Sequence, residues 1–413
     1  MKANFVYSDL NPCGGGERLT LLTMQAVLDM GFDIDLTTLD IPDITKLENA
    51  YGKDIASAIR SVKKINVLQI FDEQSIRNNI EKNNYDLIIN TNGDIAPYYC
   101  RSLSKNNTIT YCHFPSAKFY IQSGDRVYLE RHLKVNRTLP PNTSSNDNKM
   151  LEKHHSNVKA FDGFNLPNYL KWLKDVYDNM IKNSTLLTNS EFSRRAISEA
   201  YDIDHVLVLS PPVDIQSFRD SVLSPSSSND NGEDKREDLI VVVSRIDSSK
   251  RVENAIKFAK LLKEKDIGKG MIIAGNLDPY NYDYYLYLKR MIVNFGLVDY
   301  VKFEIDASFD KLLSILKKGK VYFHPRAGEH FGMSIVEAMS AGLIPIVSDV
   351  GGQTEFVPPK YHFHTLEQAT QIASSAFNAP SSERFKISNS VIKFSTTNYI
   401  INFQNVVNNM LVK

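Results

Sequence analysis

Strand-like and helix-like segments alternate along the first half of the chain. A short apolar strand runs to about Ser8, Gly14 to Gly16 follow it, and apolar residues from Leu19 to Met30 then recur at helical spacing. Further strand-like segments, several of them separated by helical stretches, lie at residues 35–38, 86–91, 108–113, 185–188 and 206–209. Alternation of this kind predicts a parallel sheet covered by helices.

The same pattern restarts after a polar tract. Residues 218–237 are rich in Ser, Asn and Asp and carry no large apolar residue after Leu223, which is typical of a flexible linker or loop. Beyond it, we predict strands at 239–243, 271–274, 300–304, 321–324 and 344–348, and helices at 252–264, 284–295, 309–317 and 333–341. The sequence therefore predicts an α/β protein with two doubly wound, Rossmann-like domains.

Chain length and topology indicate where a ligand would bind. At about 150 residues per domain, 413 residues fit two or three domains. Ligands of open α/β sheets bind outside the carboxyl ends of the strands, so we expect the site in a cleft that the two domains face. Residues 122–166 break the pattern, because they are polar and Asn-rich, and are predicted to form a long loop.

Composition excludes several classes of protein. A hydrophobic fraction of 42% excludes global disorder, and 48 basic against 48 acidic residues give no basic surface for nucleic acid. Cys13, Cys100 and Cys112 lack the paired spacings of a zinc site or a disulfide framework, which favours a reducing, cytoplasmic location. The opening residues lack the apolar core of a signal peptide, and no apolar run approaches the roughly 20 residues that span a bilayer, so we expect any membrane contact to be peripheral.

The most informative string runs from Pro325 to Pro345. It leaves a strand, turns through Gly328 and begins a helix around Gly332, and the unpaired N–H groups of a helix N-terminus suit a phosphate. Glu329 precedes that helix and Glu337 lies inside it, so one carboxylate could meet a sugar hydroxyl while the other holds a ribose. The alternative is two solvated surface acids.

Two cations and a glycine turn are further candidates. Arg245 and Lys250 follow a buried-looking strand, where they could stabilise the charge that gathers on a leaving nucleoside diphosphate; the alternative is two surface cations. Gly14, Gly15 and Gly16 form the first strand-to-helix turn, and their N–H groups could meet donor phosphates or an acceptor. They do not form the G-x-G-x-x-G fingerprint, which counts against an oxidoreductase.

The 325–345 string resembles the E-x7-E signature of the retaining glycosyltransferases of family 4, which have the GT-B fold. Other segments resemble family landmarks in the same order, and these are Gly14-Gly15-Gly16-Glu17-Arg18, His113-Phe114-Pro115, Ser210-Pro211-Pro212-Val213-Asp214, the R-x4-K element Arg245 to Lys250, and Gly351-Gly352-Gln353-Thr354-Glu355. The resemblance implies that His113 contacts the donor sugar; the alternative is a core histidine. It also implies that a final helix at about 399–411 crosses back onto the first domain.

These likenesses predict a domain division and a reaction. We expect an acceptor-binding domain at 1–214 plus about 396–413, and a donor-binding domain at 215–395 that uses Arg245, Lys250, Glu329, Glu337 and the Gly332, Met333 and Ser334 backbone. The resemblance implies transfer that retains the α configuration. No side chain is an obvious covalent nucleophile, so we expect front-face attack, without a cofactor and without a metal site, because the cationic and helix-end groups already neutralise the diphosphate. A nucleotide-sugar hydrolase or epimerase on the same fold, and a non-catalytic nucleotide-sugar-binding subunit, are the alternatives.

Within the family, the chain is most similar to the α-1,2-mannosyltransferases that extend dolichol-linked oligosaccharides. His113-Phe114-Pro115 stands where those enzymes usually have His-Tyr-Pro. The resemblance favours GDP-mannose as the donor, with a UDP-sugar as the other candidate, and a glycan or polyprenyl-linked acceptor. A lipid-linked acceptor implies work at the cytoplasmic face of a membrane.

Residues 164–177 contain the only tryptophan of the chain and are a candidate for peripheral membrane contact. Tyr169, Trp172, Leu173, Val176 and Tyr177 recur at helical spacing, with Lys171 and Lys174 beside them. Aromatic residues flanked by lysines suit a lipid headgroup boundary. The alternative is an ordinary helix that packs this stripe into the domain core.

Overall fold

A computed structural model describes residues 1–67, 73–94, 107–123, 166–223 and 236–412. The chain divides into two compact units, the first made of Met1–Leu209 with Ile400–Lys413 and the second of Ser210–Tyr399. The sequence analysis placed the domain boundaries between residues 214 and 215 and between residues 395 and 396, approximately. Residues 124–165 of the predicted long loop and residues 224–235 of the polar tract lie outside the described residues.

The N-terminal unit is built on a parallel sheet of seven strands in the order β3-β2-β1-β4-β5-β6-β7. Its strands are β1 (Lys2–Val6), β2 (Asp33–Thr38), β3 (Lys64–Val67), β4 (Leu87–Asn90), β5 (Asn107–Tyr111), β6 (Thr185–Thr188) and β7 (Val206–Val208). Its helices are α1 (Gly15–Leu28), α2 (Ile44–Tyr51), α3 (Lys53–Arg60), α4 (Glu73–Asn83), α5 (Ser116–Ser123), α6 (Leu166–Lys182) and α7 (Glu191–Tyr201).

Burial on both faces explains why the central strands read as apolar runs. Ala3 of β1 pairs with Ile34 on one side and Leu87 on the other, and all three side chains are fully buried. A parallel sheet covered on both faces has no solvent side, so its strands lose the alternation of polar and apolar residues.

The C-terminal unit repeats this plan with six parallel strands in the order β10-β9-β8-β11-β12-β13. Its strands are β8 (Glu237–Val243), β9 (Gly270–Gly275), β10 (Val301–Ile305), β11 (Gly319–Phe323), β12 (Ile344–Ser348) and β13 (His362–Phe363). Its helices are α8 (Ile215–Leu223), α9 (Val252–Glu264), α10 (Tyr282–Asn294), α11 (Phe309–Lys318), α12 (Met333–Ser340), α13 (Leu366–Phe377) and α14 (Ser381–Ser390). The prediction of two doubly wound α/β domains is confirmed.

Both predicted loops are shorter than expected, because the flanking helices extend into them. Residues 218–223 belong to α8, whose Phe218 is buried against the core of the C-terminal unit, so the polar tract begins later than predicted. Gln122 likewise lies within α5, and Leu166 is the first residue of α6. Apolar anchors such as Phe218 extend these helices into sequence that is polar on average.

The last helix, α15 (Thr396–Leu411), begins in the C-terminal unit and ends in the N-terminal one. In its second half Phe403 and Val407 are fully buried, and the Gln404 side chain donates a hydrogen bond to the carbonyl oxygen of Ala26 in α1 at 3.0 Å. The chain therefore returns to its first domain, as the resemblance implied. Among the helices that the structure describes, none is both long enough and apolar enough to cross a bilayer.

Candidate functional site

The loops after β8 and β11 bring the predicted C-terminal residues together. These two strands are neighbours in the sheet, so the residues that follow them leave the same edge. After β8, the Asp247 carboxylate accepts a hydrogen bond from the Ser249 N–H at 2.7 Å and begins a short 3-10 turn that ends at Lys250. This turn directs the Lys250 side chain toward the segment that follows β11.

Lys250 and Glu329 form an ion pair. The Lys250 ammonium nitrogen lies 2.9 Å from Glu329 Oε2, and the two side chains are only 20% and 11% exposed. Charged groups removed from water to this extent interact more strongly than surface pairs, and each would be costly to leave alone. The R-x4-K element and the first carboxylate of the E-x7-E string are thus in direct contact.

His324 belongs to the same cluster and was missed by the sequence analysis. Its imidazole is 3% exposed, and Nε2 lies 3.3 Å from Glu329 Oε2. On the other side of the ring, Nδ1 lies 3.4 Å from the Tyr322 hydroxyl, which is 2.8 Å from Ser334 Oγ. Its position in the sequence could have indicated it, since His324 follows a buried strand and immediately precedes the string that begins at Pro325.

The surroundings of Glu329 keep its carboxylate ionised. Burial by itself would raise the pKa of Glu329, but the nearby His324 ring and the Lys250 charge outweigh it and hold the pKa well below its usual range. Arg326 adds positive charge, with Nη1 at 4.0 Å from Glu329 Oε2. An ionised carboxylate only accepts hydrogen bonds, which suits it to a ligand that offers hydroxyl groups.

The backbone of Glu329 is fixed by the glycine turn that follows β12. The Gly352 N–H donates to the Glu329 carbonyl oxygen at 2.8 Å, and the Gly328 N–H donates to the carbonyl oxygen of Val350 at 2.7 Å. Gly351 has φ +131° and ψ 178°, a conformation that is essentially restricted to glycine. A Cβ atom there would lie 2.7 Å from the Glu329 carbonyl oxygen. The glycine-glycine turn therefore serves to position Glu329.

We predict that Gly351→Ala lowers the free energy of unfolding by about 2–4 kcal/mol, because the new methyl group adds a clash to an unfavourable backbone conformation. Gly328→Ala is the matched control, since Gly328 also has a positive φ of +70° but has nothing within 4 Å of the added Cβ. It should lose only about 1–2 kcal/mol. Chemical denaturation of both variants measures the difference, and equal losses would mean that contact with Glu329 is unimportant.

The predicted helix N-terminus is present beside this cluster. Gly332, with φ +98°, precedes α12, and Met333 and Ser334 are its first two residues, whose N–H groups have no partner within the helix. Glu337 lies in the middle of α12 and is half-buried. Burial, together with the charges of Glu337 and Glu329, raises the pKa of Tyr322, so its hydroxyl stays protonated between the two carboxylates. The structure thus places the first N–H groups of α12 and both acids around one strand end.

Arg245 stands apart from the buried cluster. It lies two residues after β8, between Ser244, whose N–H donates to the Ala274 carbonyl oxygen in β9, and Ile246, whose N–H donates to the Asn276 carbonyl oxygen just after β9. Its own side chain is exposed. The structure brings Lys250 and Glu329 together but does not bring Arg245 into contact with them.

The N-terminal unit holds the predicted glycine turn. Gly14 caps α1, and its N–H is donated to the Glu17 carboxylate at 2.6 Å, so it is already engaged within the protein. The other oxygen of Glu17 accepts from the Tyr7 hydroxyl at 2.8 Å. Gly15 and Gly16 open the helix, where the first N–H groups lack helical partners. Of the three predicted N–H groups, that of Gly14 is therefore bonded within the protein, and those of Gly15 and Gly16 have no partner within the helix.

His113 lies next to this turn. A Cβ atom on Gly16 would be 3.9 Å from His113 Nε2, and this nitrogen is 3.2 Å from the Thr91 carbonyl oxygen, which can only accept a hydrogen bond. Burial lowers the pKa of His113, although the bond to Thr91 opposes this shift. The ring is therefore neutral, with its proton on Nε2, and Nδ1 can accept from a ligand hydroxyl.

Two further predictions concern metals and membranes. No group of three or more His, Cys, Asp or Glu side chains in the described ranges could hold a metal ion. In α6, Tyr177 is fully buried and packs with Met180 in the core, so its predicted place on a membrane face is wrong. Lys171 and Lys174 are exposed, and the side chains of Tyr169, Trp172 and Leu173 lie outside the described residues.

Comparisons with known proteins agree with this geometry. Residues 224–373 match the model of the family described as glycosyl transferases group 1. The GDP-Man:Man(3)GlcNAc(2)-PP-Dol alpha-1,2-mannosyltransferase of Mus musculus is 28% identical over 174 residues, and that of Neurospora crassa is 26% identical over 191 residues. These matches cover 40% and 43% of this chain but only 34% of each relative, so the chain spans about a third of their length.

Solved structures show the same architecture. A glycosyltransferase from Rickettsia africae superimposes with a TM-score of 0.66 at 14% identity, covering 99% of this chain and 98% of that one. Anabaena HepE, solved in complex with UDP, gives 0.64 at 16% identity and covers all of both chains. At such low identity these likenesses establish the fold, which is GT-B as predicted.

Proposed function

We propose that this chain is a retaining glycosyltransferase that moves a hexose, with mannose favoured, from a nucleotide-diphosphate sugar to a glycan or polyprenyl-linked acceptor. The observation that carries the proposal is the contact of Lys250, Glu329 and His324 beside the N-terminus of α12. The Lys250 cation and the backbone N–H groups suit the diphosphate of such a donor, and the ionised Glu329 suits its sugar hydroxyls.

The leaving diphosphate is the group that most needs stabilisation. Negative charge grows on it as the bond to the sugar breaks, and groups already oriented toward those oxygens lower the barrier. The Lys250 ammonium has three N–H donors, so it can bond a phosphate oxygen while it holds Glu329. Arg245, exposed at the end of β8, is assigned to the same diphosphate as a bidentate fork.

Glu329 is assigned to the sugar and Glu337 to the ribose. In a front-face reaction, the acceptor hydroxyl oxygen bonds to the anomeric carbon on the face that the diphosphate leaves. The carbon–oxygen bond to the phosphate breaks, and the phosphate oxygen takes the acceptor proton. The protein needs no covalent nucleophile for this step, and His113 Nδ1 can accept a hydrogen bond from the sugar.

Names of the relatives support the choice of donor and acceptor. The mannosyltransferases are named for GDP-mannose and a dolichol-linked glycan, whereas HepE was solved with UDP. We therefore propose GDP-mannose first and a UDP-sugar second, and a lipid-linked acceptor reached at the cytoplasmic face of a membrane.

A donor screen followed by product analysis tests the proposal. A nucleotide sugar that binds only the folded protein raises the free energy of unfolding by RT ln(1 + [L]/Kd) and therefore raises the unfolding temperature. GDP-mannose should shift this temperature most. The bound donor is then incubated with and without lipid-linked oligosaccharide. Acceptor-dependent α-mannoside supports transfer; sugar or epimer released without acceptor indicates the hydrolase or epimerase, and binding without turnover indicates a non-catalytic subunit.

We predict that transfer continues in excess EDTA. Lys250, Arg245 and the N-terminus of α12 are assigned to neutralise the diphosphate, which is the task that a divalent cation would otherwise perform. Initial rates with EDTA should equal those with added magnesium. Loss of activity in EDTA that magnesium or manganese restores would contradict this assignment.

A further inference from the structure

Nitrogen atoms of three side chains converge on one oxygen of the Glu329 carboxylate. Lys250 Nζ lies 2.9 Å, His324 Nε2 3.3 Å and Arg326 Nη1 4.0 Å from Oε2. Within the part of the chain that the structure describes, no hydrogen bond reaches the other oxygen, Oε1. Both oxygens of an ionised carboxylate are acceptors, so this arrangement commits one of them to the protein and leaves the other to accept from a ligand.

His324 is held by the sheet, whereas Glu329 lies in the segment between β11 and α12. The His324 N–H donates to the Ile346 carbonyl oxygen of β12 at 3.0 Å, and the imidazole is buried. Tyr322, two residues earlier, is fully buried in β11, and its ring lies on the same side of the strand as the His324 ring, with the two planes 23° apart. A side chain fixed at a strand end can orient an acid that stands on a loop.

The position of the Glu329 carboxylate determines which nitrogen of His324 carries a proton. An ionised carboxylate oxygen only accepts, so Nε2, which faces Oε2, is the protonated nitrogen. These two atoms lie within ion-pair distance but are not aligned as a full hydrogen bond. Hydrogen bonds in active sites are often poorly aligned before substrate binds and improve in the complex. A buried N–H group without a full bond carries a free-energy cost, so this contact can tighten when Glu329 engages a ligand.

The Tyr322 hydroxyl supports the opposite side of the ring. It lies 3.4 Å from His324 Nδ1, 3.3 Å from the Val243 carbonyl oxygen and 2.8 Å from Ser334 Oγ. Burial raises the pKa of Tyr322, so this hydroxyl keeps its proton. The carbonyl oxygen only accepts, so the Tyr322 proton is available to it and to Nδ1 of the uncharged ring, while the Ser334 hydroxyl donates to Tyr322. Ser334 is the second residue of α12, so this relay connects Glu329 with the start of the helix.

We propose that His324 is a positioning residue that holds Oε2 of Glu329 from the protein side, so that Oε1 accepts a hydroxyl group of the donor sugar. Tyr322 and Ser334 in turn fix the imidazole ring. The inference rests on the proposed function, which assigns Glu329 to the sugar. It adds which oxygen of the acid binds the sugar and which residue selects that oxygen, and His324 acts through Glu329 without touching the donor.

Nuclear magnetic resonance of the full chain with 15N-labelled histidine tests these contacts without any substrate. The chain has nine histidines, and His324→Gln identifies the signals of His324. We expect a protonated Nε2, and we expect Tyr322→Phe to shift the Nδ1 signal more than the Nε2 signal, because only Nδ1 loses a neighbouring hydroxyl. An Nε2 without a proton, or an Nδ1 signal that Tyr322→Phe leaves unchanged, would overturn the relay.

Two substitutions separate the hydrogen-bond donor at Nε2 from the rest of the ring. The amide nitrogen of glutamine reaches the place of Nε2, whereas the shorter asparagine reaches only that of Nδ1. His324→Gln should therefore keep kcat/KM within about threefold of wild type, while His324→Asn should lower it about 10- to 100-fold, because the acid is no longer held in its productive orientation.

Donors that each lack one sugar hydroxyl show whether this loss concerns the sugar. With the wild type, the donor without the hydroxyl that Glu329 accepts should react about 10- to 100-fold more slowly than the complete donor, which is the usual effect of a hydrogen bond to a charged group. His324→Asn should discriminate between these two donors by less than about threefold, since the contact is already impaired. A merely structural role of His324 would lower activity with all donors equally.

His205→Asn is the matched control. His205 also lies beside a carboxylate, that of Asp204 at 3.6 Å, but it is exposed and belongs to the N-terminal unit, so the variant should equal wild type in every assay. Thermal unfolding of each variant verifies that the fold is intact. Equal kcat/KM of the two His324 variants, or undiminished discrimination by His324→Asn, would overturn the inference. Failure of the wild type to use any nucleotide sugar would instead contradict the proposed function, and the signals of the ring nitrogens would still decide on the relay.

Discussion

Glu329→Gln should lower the rate of transfer by about 100- to 1,000-fold, the range expected when one preoriented electrostatic contact to the reacting group is removed. Glutamine has the same shape but lacks the negative charge that pairs with Lys250 at 2.9 Å and that we assign to the sugar hydroxyls. The released ammonium can still bind phosphate oxygens. Calorimetry with the bare nucleoside diphosphate should therefore give nearly wild-type affinity, while steady-state kinetics show the loss in kcat.

Glu337→Gln is the natural comparison, because it changes the other carboxylate of the same string. Glu337 lies within α12 and is assigned to the ribose, so its replacement should weaken nucleotide binding and affect turnover less. Thermal unfolding of both variants is needed, since removing one partner of a buried ion pair can destabilise a protein. Equal effects of the two substitutions on binding and on turnover would mean that the roles of the carboxylates are wrongly assigned.

Arg245→Lys should lower kcat/KM by about 100-fold although the charge is kept. A guanidinium offers two parallel N–H groups to two phosphate oxygens, whereas an ammonium acts as a point charge on a flexible chain. Arg245 is exposed at the end of β8, so the substitution should not alter stability. Product formation at several donor concentrations separates the loss in kcat from any rise in KM.

Arg251→Lys serves as the control for Arg245→Lys. Arg251 is also exposed, with a side chain 64% accessible, and it pairs with Glu253 at 3.5 Å just outside the candidate site. Its conservative replacement should leave kcat/KM within about twofold of wild type, since surface pairs of this kind contribute little. If Arg245→Lys behaves in the same way, Arg245 does not clamp the diphosphate.

The sequence pattern failed for short strands at the edges of the two sheets. β3 was not predicted, because its four residues are too few for their alternation to stand out, and because it buries Asn66 while it exposes Ile65 and Val67 at the edge of the sheet. β13 has two residues and depends on its pairing with β12. Such strands are defined by their neighbours, which a local pattern does not contain.

The apolar and aromatic stripe of α6 shows that a local pattern also cannot decide what a side chain contacts. Helical spacing placed Tyr177 on one face with Trp172, but spacing does not say whether that face meets water, lipid or the core. Only the packing of α6 against the N-terminal sheet decided that Tyr177 is buried.

By itself, the sequence pattern determined the two doubly wound domains and placed Glu329 and Glu337 beside a helix N-terminus, whereas the return of the last helix was implied only by the family resemblance. The first two features follow from local rules, since buried parallel strands must be apolar runs and glycine suits positions such as Gly332. Only the tertiary structure decided that Lys250 contacts Glu329 across 79 positions of sequence, that His324 and Tyr322 support that carboxylate, and that the Gly351 turn fixes its backbone. The physical reason is that neighbouring strands β8 and β11 end side by side, and the pairing of strands so distant in the chain is a property of the whole sheet.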